Sequence, residues 1–251
     1  MSYTLDRDGL AVVEDAVTAA ELIELTEAVD RVYEAECADG PLHRLAFAGL
    51  DPSFLKLVAH PVTLPLVTGA LGWNIQMYHC HLDVHPVTEV SELGKWRWHQ
   101  DGGRQNVDLE SPRPRLSLKV AYFLTDVPSS RHGPLWVLPG SHTRDTLEQP
   151  ANGSPQPDGA VPLLLSRGTA VVLDRRLWHA RGDNRVGAAR KALFYAYTYR
   201  WIRPRDDLGL DPGTVATLDP VTRQLLGSGT SEIGHWIPTD DDVPLREASI
   251  R

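Results

Sequence analysis

Cysteine is scarce in this sequence, which contains only Cys37 and Cys80 among 251 residues. Two cysteines cannot form the disulfide framework of a small secreted domain, and their separation fits neither a zinc knuckle nor a CxxC redox pair. Long apolar runs are also missing, since none approaches the ~18 residues that a membrane-spanning helix needs. The first ten residues, MSYTLDRDGL, lack the basic and apolar regions of a secretion signal. We therefore expect a cytoplasmic protein in a reducing setting, without membrane contact.

Clusters of basic residues are equally scarce. The formal net charge is -8, and no run of lysines or arginines is dense enough to follow a phosphate backbone or an anionic membrane. The sequence therefore argues against nucleic acid as a partner and leaves a small molecule as the expected one, with no indication of an oligomeric state. The length and the 42% hydrophobic content predict one domain that covers residues 1–251.

Helical patterns occur near both ends of the chain. Thr18 and Glu21 have the spacing of a capping box, and apolar residues recur at helical intervals through AAELIELTEAVDRVYEAE (19–36). A shorter helix is predicted in DPSFLKLVAHP (51–61), because proline is tolerated at a helix start and stops a helix further on. Another is predicted in DPVTRQLLG (219–227), which has a capping residue at its start and a glycine at its end.

From residue 73 onward the sequence consists of short segments rich in branched and aromatic residues, separated by glycine and proline. Such segments without intervening helices are typical of an antiparallel double sheet. We predict strands in GLAVVED, NIQMYHCHLDV, KWRWHQD, RLSLKVAYFLTDV, GPLWVLPG, GTAVVLD and KALFYAYTYRW. The predicted fold class is mainly β with flanking helices and a jelly-roll core. A polar loop over 143–165 is too long for a hairpin turn and is either a solvated insertion or a lid over a substrate.

The segment RWHQDGGR (97–104) is the first candidate site. His99 and Asp101 are two positions apart, so on a strand they would face the same side and could bind one object together. This spacing alone is weak evidence, because it arises by chance in many proteins. A second histidine, His179, follows the predicted strand GTAVVLD. Two imidazoles and one carboxylate form the facial triad that holds non-haem Fe(II) and leaves coordination positions open.

A second set of polar residues competes for the metal. His79, His81 and Asp83 occupy alternate positions in YHCHLD and share one face of a predicted strand. Three roles are open for them: contact with a bound molecule, ordinary interior hydrogen bonds, or metal binding. The metal-binding role lacks a distal histidine in a matching sequence context. His142 is expected to have a structural role, and Lys119 points either into the barrel toward an anion or into solvent. The remaining histidines have no supporting context: His43, His60, His85, His132 and His235.

Several motifs in order carry a resemblance to a known family. The chain resembles the phytanoyl-CoA dioxygenase family of Fe(II)- and 2-oxoglutarate-dependent oxygenases in WHQDGG, HGPLWVLPGSH, GTAVVLDRRLWHARGDN and ARKALFYAYTYRW. The resemblance covers most of the chain, because DGLAVVEDAVTAAEL is similar to the opening of that family and DPVTRQLLG to its closing helix. It implies a double-stranded β-helix, or cupin-like, core. It also implies that His99, Asp101 and His179 bind Fe(II), with 2-oxoglutarate and O2 as co-substrates.

The resemblance also assigns residues to 2-oxoglutarate. The family has a cation for the far carboxylate roughly ten residues beyond the distal histidine, where this chain has Arg190, and a planar guanidinium suits a carboxylate. Arg181, Arg185 and Lys191 are nearby competitors. Relatives commonly have a small hydroxyl residue where this chain has Arg181, so Arg181 is a candidate contact to the co-substrate. His79 matches a segment that lines the site in relatives and is another candidate.

Together these observations predict a non-haem Fe(II)- and 2-oxoglutarate-dependent dioxygenase. The expected reaction oxidises an unactivated C–H bond of a small molecule, usually by hydroxylation, and releases succinate and CO2. Asp101 disfavours halogenation, because related halogenating enzymes have a small residue there so that chloride binds the iron. A secondary metabolite is the preferred substrate class. Two alternatives stay open: a cupin-type dioxygenase that does not use 2-oxoglutarate, and an inactive jelly-roll binding protein.

Overall fold

The computed structural model describes residues 3–88, 95–228 and 243–248. Within these ranges, strands form two sheets. The strands are β1 (Leu10–Val13), β2 (Leu42–Leu45), β3 (Ile75–His85), β4 (Ser117–Phe123), β5 (Leu135–Val137), β6 (Val161–Leu163), β7 (Ala170–Asp174), β8 (His179–Arg181) and β9 (Arg190–Tyr199). The predicted class, mainly β with flanking helices, is confirmed.

The helices of the described ranges are mostly short. They are α1 (Leu5–Asp8), α2 (Ala19–Glu36), α3 (Pro52–Lys56), α4 (Leu64–Leu71), α5 (Gln105–Asp108), α6 (Pro212–Thr217), α7 (Pro220–Leu225) and α8 (Pro244–Ala248). Helix α7 lies where DPVTRQLLG predicts it, and the side chain of Asp219 caps it. No helix within these ranges is long and apolar enough to cross a lipid bilayer.

The two sheets form the double-stranded β-helix that the resemblance implies. The larger sheet has the strand order β1-β7-β4-β9-β3-β2, and the smaller has the order β6-β5-β8. All of these ladders are antiparallel. Buried side chains from both sheets belong to one apolar cluster, so the sheets pack face to face.

Helices cover the outer face of the larger sheet. Helix α2 begins at the predicted capping box, in which the backbone N–H of Glu21 donates to the Thr18 hydroxyl over 3.3 Å and that of Thr18 donates to the Glu21 carboxylate over 2.7 Å. Leu25 and Val29 of this helix share a buried cluster with Tyr195 of β9. Because side chains alternate along a strand, the neighbouring Phe194 faces the smaller sheet instead.

The space between the sheets positions the site. Part of it is filled by apolar side chains, such as Phe123 of β4 and Val137 of β5, which are fully buried. The adjoining part is a pocket with polar walls and a few apolar contacts from Leu135, Leu173 and Phe194. A pocket that opens between two rigid sheets holds its side chains in fixed positions, which suits a binding or catalytic site.

One predicted strand was wrong, and it contains a candidate site. In KWRWHQD, only His99 pairs with another segment, through an isolated antiparallel bridge to His179. The chain then turns, and Gly102 and Gly103 have φ values of 110° and 50°, which interrupt a strand and favour glycine. His99 and Asp101 therefore approach each other through a turn, and not through the strand alternation that the sequence suggested.

The helix predicted over 51–61 is also shorter than expected. Helix α3 ends at Lys56, and the sequence pattern missed α4, which begins beyond Pro61. The residue before a proline disfavours helical geometry, so His60 and Pro61 separate two helices that share one apolar pattern. The three- and four-residue strands β2, β6 and β8 were missed too, because segments this short carry little periodicity.

Candidate active site

Two distant segments meet at His99, Asp101 and His179. The backbones of His99 and His179 exchange two N–H···O bonds of 3.0 Å, and their ring centroids are 4.3 Å apart. Asp101 follows at the turn, so that one potential ligand atom from each residue lies within 4.8 Å of the others. The structure therefore brings together the three residues that the sequence nominates as iron ligands.

Hydrogen bonds orient both imidazoles for metal binding. Nδ1 of His99 lies 2.9 Å from the carbonyl oxygen of Arg97, and Nδ1 of His179 lies 2.8 Å from that of Leu177. A carbonyl oxygen only accepts, so each Nδ1 carries the proton and each Nε2 keeps a free lone pair. Burial, together with the neighbouring His99, lowers the pKa of His179 to about 4, which keeps it neutral near pH 7. Metal-ligating histidines have this arrangement.

A lysine holds the carboxylate of this group. Nζ of Lys119 lies 2.6 Å from Oδ2 of Asp101, while Oδ1 faces Nε2 of His179 at 3.9 Å. Burial opposes ionisation of Asp101, but the charge and the hydrogen bond of Lys119 help to outweigh it, and the pKa of Asp101 lies far below the usual range. Asp101 is therefore an anion, with one oxygen left for a cation. Lys119 therefore points into the barrel, which is one of the two orientations that the sequence left open.

The turn that carries Asp101 is fixed from behind by a buried arginine. Nη2 of Arg175 donates to the side-chain oxygen of Asn106 over 2.6 Å, and the Asn106 amide donates to the Asp101 carbonyl over 3.0 Å. The backbone N–H of Asp101 donates to the Arg175 carbonyl over 2.9 Å. A Cβ on Gly102 would lie 2.0 Å from Nη2 of Arg175. Glycine is therefore needed for close contact between the turn and the guanidinium.

We expect Gly102→Ala to weaken binding of Mn(II) roughly tenfold, because displacing Arg175 releases the turn that aims Asp101. Isothermal titration calorimetry measures the change. Gly103→Ala is the matched control, since Gly103 also has a positive φ but nothing lies within 4 Å of its added methyl group. Equal losses in both variants would show that backbone strain, and not the Arg175 contact, is responsible.

A second group of His43, His81 and Asp83 has ligand atoms that also lie within 4.8 Å of one another. Its hydrogen bonding differs, because Nδ1 of His43 lies 2.6 Å from Oδ1 of Asp83 itself. Two potential ligands thus bind each other, whereas the imidazoles of the first group are held by carbonyls outside it. The Arg190 guanidinium is 3.6 Å from the other oxygen of Asp83. The first group is therefore the better metal site.

His79 takes part in neither group. Its Nδ1 lies 2.9 Å from Oδ2 of Asp206, and its Nε2 lies 3.1 Å from Nδ1 of His81. The sequence allowed a metal triplet of His79, His81 and Asp83. In the structure, His43 stands in place of His79 in that group. Both ring nitrogens of His79 have protein partners, so it contacts a bound molecule only as part of the pocket wall.

Arg190 has the properties required to bind the far carboxylate of 2-oxoglutarate. It begins β9, is 3% exposed and lines the same pocket as the candidate metal ligands. Its Nη1 donates a long 3.4 Å hydrogen bond to the Gly133 carbonyl, but Nε and Nη2 have no hydrogen-bond partner among the described residues. Burial lowers its pKa to about 10, so it stays a cation near pH 7. Buried donors without partners are costly, and a carboxylate would satisfy them.

The competing cations lie elsewhere. Arg185 is paired with Asp183 at 3.4 Å, and Lys191 forms a short ion pair with Asp30; neither lines this pocket. Arg181 is exposed at the pocket mouth, where its Nη1 lies 2.9 Å from Nε2 of His85. Arg181 therefore remains a candidate contact at the entrance, and Arg190 is the buried one.

His142 and Trp98, a neighbour of His99, have structural roles. His142 is buried, with Nε2 3.2 Å from the Asp6 carbonyl, in agreement with the structural role expected for it. Trp98 is buried and its indole N–H donates over 3.0 Å to the carbonyl of Pro155, which attaches the 143–165 loop beside the site. His235 lies outside the described residues.

Sequence reasoning missed His43 and His85. His43 lies opposite Asp83 in the β2/β3 ladder, and Nε2 of His85 is 3.5 Å from Oδ2 of Asp83. Neither residue belongs to a motif. The one signal that could have found His43 is the pairing of β2 with β3, and a strand of four residues does not reveal its partner or register.

A double-stranded β-helix with two imidazoles and one carboxylate in its pocket defines a class, the mononuclear non-haem iron oxygenases. A model of the phytanoyl-CoA dioxygenase (PhyH) family matches residues 5–192, and the chain belongs to that family. The predicted family and enzyme class are thereby confirmed: an Fe(II)- and 2-oxoglutarate-dependent dioxygenase that uses O2.

Known proteins resemble the chain over most of its length. It is 28% identical over 238 residues to the uncharacterised protein Rv1501 of Mycobacterium tuberculosis, covering 87% of this chain and 82% of the relative. Dioxygenase af480 of Aspergillus fumigatus is 26% identical over 238 residues, covering 86% of this chain and 73% of the relative. A crystal structure of HygX from Streptomyces hygroscopicus with nickel, 2-oxoglutarate and hygromycin B bound has a TM-score of 0.64 at 14% identity, covering 80% of this chain and 86% of HygX. At this identity, the likeness to HygX is one of fold.

Proposed function

We propose that the protein oxidises a C–H bond of a small molecule, usually by hydroxylation, with iron bound by His99, Asp101 and His179 and the far carboxylate of 2-oxoglutarate bound by Arg190. The observation that carries this proposal is that the three candidate ligands and an unsatisfied buried guanidinium line one pocket. A metal ion and a dicarboxylate would satisfy both features together. Residues 1–251 are proposed to act as one catalytic domain.

When bound, iron supplies the chemistry that activates O2 while 2-oxoglutarate is converted to succinate and CO2. The protein residues supply position and charge. A neutral imidazole and an ionised carboxylate are donor forms that Fe(II) binds, and His179 and Asp101 already have these forms without the metal. Lys119 holds one oxygen of Asp101 in an ion pair, so the other oxygen would be the one available to a metal ion. Arg190 fixes the orientation of the co-substrate, because a planar guanidinium can pair with both oxygens of a carboxylate.

The pocket favours a small and partly polar substrate. Its volume is about 360 Å³, and its walls combine Phe194 and Leu135 with the charged side chains Arg97 and Arg205 near the entrance. A polymer or a membrane surface would not enter such a space. HygX has been crystallised with hygromycin B, and af480 is named a dioxygenase. These relatives support a secondary metabolite as the substrate class.

Uncoupled turnover tests this function. Purified protein supplied with Fe(II), ascorbate and 2-oxoglutarate is expected to release succinate slowly without substrate, and faster when a compound that fits the pocket is added. Omission of Fe(II) is the control and should abolish succinate formation. Product formation that does not require 2-oxoglutarate would favour a cupin-type dioxygenase. A protein that binds compounds but releases no succinate under any of these conditions would be a binding protein, and the proposal would be wrong.

A further inference from the structure

Asp83 lies at the centre of a buried charge cluster beside the proposed co-substrate site. It is 6% exposed, and its carboxylate faces two donors: Nδ1 of His43 at 2.6 Å and Nη2 of Arg190 at 3.6 Å. Nε2 of His85 is 3.5 Å away, but it accepts from Nη1 of Arg181 at 2.9 Å and so has no proton to donate to Asp83. Burial opposes its ionisation, yet the hydrogen bond from His43 and the charge of Arg190 help to keep its pKa far below the usual range. Asp83 is therefore an anion that already faces the guanidinium.

This arrangement conflicts with the proposed role of Arg190. Asp83 is the one carboxylate in contact with Arg190 among the described residues. The far carboxylate of 2-oxoglutarate needs the same guanidinium, so its binding would place two anions against one buried cation. Buried charges are unfavourable unless each is paired. A further positive charge is thus required near Asp83 whenever 2-oxoglutarate is bound.

The neighbouring groups leave one place for this charge. On β4, Lys119 is already paired with Asp101. On β3, burial lowers the pKa of both His81 and His85, and the positive charges nearby, including Lys119 for His81 and Arg190 for His85, oppose their protonation further. On β8, the charge of Arg181 faces His85 and not Asp83. Two further arginines line the pocket: Arg97 is paired with Asp183 at 2.8 Å, and Arg205 is exposed to solvent. His43 on β2 remains: its side chain is 55% exposed, so water can deliver a proton to it, and it is already hydrogen-bonded to Asp83.

We infer that 2-oxoglutarate binds together with a proton, which is taken up by the His43–Asp83 pair as Arg190 turns from Asp83 to the co-substrate. This inference rests on the proposed role of Arg190. In the free protein, Asp83 is balanced by Arg190. In the complex, 2-oxoglutarate takes Arg190, and an imidazolium at His43 balances Asp83. Asp83 and His43 thereby determine how strongly the site accepts a dianion, and neither residue contacts the metal.

The sign of the pH dependence follows from this linkage. The complex holds the extra proton more tightly than the free protein, so binding is strongest at low pH and weakens as the pH rises, until the complex itself loses that proton. The dissociation constant of 2-oxoglutarate should rise by up to about tenfold per pH unit where a full proton is taken up. The carboxylates of 2-oxoglutarate itself stay ionised throughout the neutral range, so they do not contribute.

Calorimetry measures the proton directly. The protein is loaded with Mn(II), which does not support turnover, and is titrated with 2-oxoglutarate at pH 7.5 in buffers of different ionisation enthalpy. The wild-type protein should take up a substantial fraction of one proton per 2-oxoglutarate. Asp83→Asn should take up none, bind 2-oxoglutarate about tenfold or more tightly at pH 8, and lose the pH dependence. His43→Gln should also take up none but should bind more weakly than wild type, because Asp83 stays charged.

Two controls make the outcome decisive. His132→Gln replaces a histidine outside this pocket and should show the wild-type proton count. Any proton released or taken up at the metal would appear equally in Asp83→Asn, so the difference between the two proteins isolates the His43–Asp83 pair. A wild-type proton count of zero, with 2-oxoglutarate bound and weakened by loss of Arg190, would overturn this inference alone. Failure of 2-oxoglutarate to bind, or binding that ignores Arg190, would instead overturn the proposed function.

Discussion

Asp101→Asn is expected to lower the affinity for Mn(II) or Co(II) at least about 100-fold, while Asp83→Asn changes it no more than a few-fold. The reason lies in the surroundings of the two carboxylates. Asp101 has one oxygen held by Lys119 and the other aimed at two imidazoles whose free Nε2 atoms are oriented by backbone carbonyls. Asp83 is bonded to His43 and balanced by Arg190. An amide at position 101 removes the anionic ligand that neutralises the metal.

Titration calorimetry with each variant measures this difference, and the visible spectrum of the Co(II) complex reports whether histidine and carboxylate ligands surround the metal. Each variant is the control for the other, because both exchange a buried carboxylate for an amide of the same size. Circular dichroism confirms that both remain folded. A large loss of affinity in Asp83→Asn, with Asp101→Asn unaffected, would place the metal at the second group and refute the assignment of His99 and His179.

Arg190→Met should raise the dissociation constant of 2-oxoglutarate roughly 100-fold or more while the affinity for Mn(II) is retained. Arg190 is the buried guanidinium of the pocket whose Nε and Nη2 have no hydrogen-bond partner among the described residues. Removing it leaves the far carboxylate of the co-substrate facing Asp83 without a cation. The measurement is a titration of the Mn(II)-loaded protein with 2-oxoglutarate.

Arg190→Lys accompanies this variant, because Arg190→Met also deprives Asp83 of a partner and can reduce stability. Lysine keeps the charge but not the planar pair of donors, so an intermediate affinity is expected. Arg185→Met is the matched control: it removes a guanidinium that lies outside the pocket, and binding should match wild type. Unchanged affinity in Arg190→Met would exclude Arg190 as the carboxylate partner. Oxidation that continued without 2-oxoglutarate in that variant would favour the cupin-type alternative.

The sequence correctly predicted features that depend only on residues close together in the chain. The capping box of α2 depends on two side chains three positions apart, and β7 and β9 lie in continuous apolar runs. The strand predicted in KWRWHQD was wrong because the two glycines that follow it favour a turn. The segment that it contacts lies eighty residues further along the chain, and no local pattern reveals that pairing. His99 and Asp101 nevertheless lie close together, because a tight turn can also direct two side chains, two positions apart, toward one point.

By itself, the sequence determined the family and the fold class, and it nominated the residues that we propose bind iron and a dicarboxylate. It did so because donor types are properties of single side chains and ordered motifs lie along the chain. Two groups of histidine and carboxylate side chains are present, and only the tertiary structure distinguishes them. In the group of His99, Asp101 and His179, backbone carbonyls orient both imidazoles. The tertiary structure also brought His43 to Asp83 and Asp83 to Arg190, through the registers of β2 with β3 and of β3 with β9. Charge balance in a buried pocket depends on such distances, and these exist only after the strands have paired.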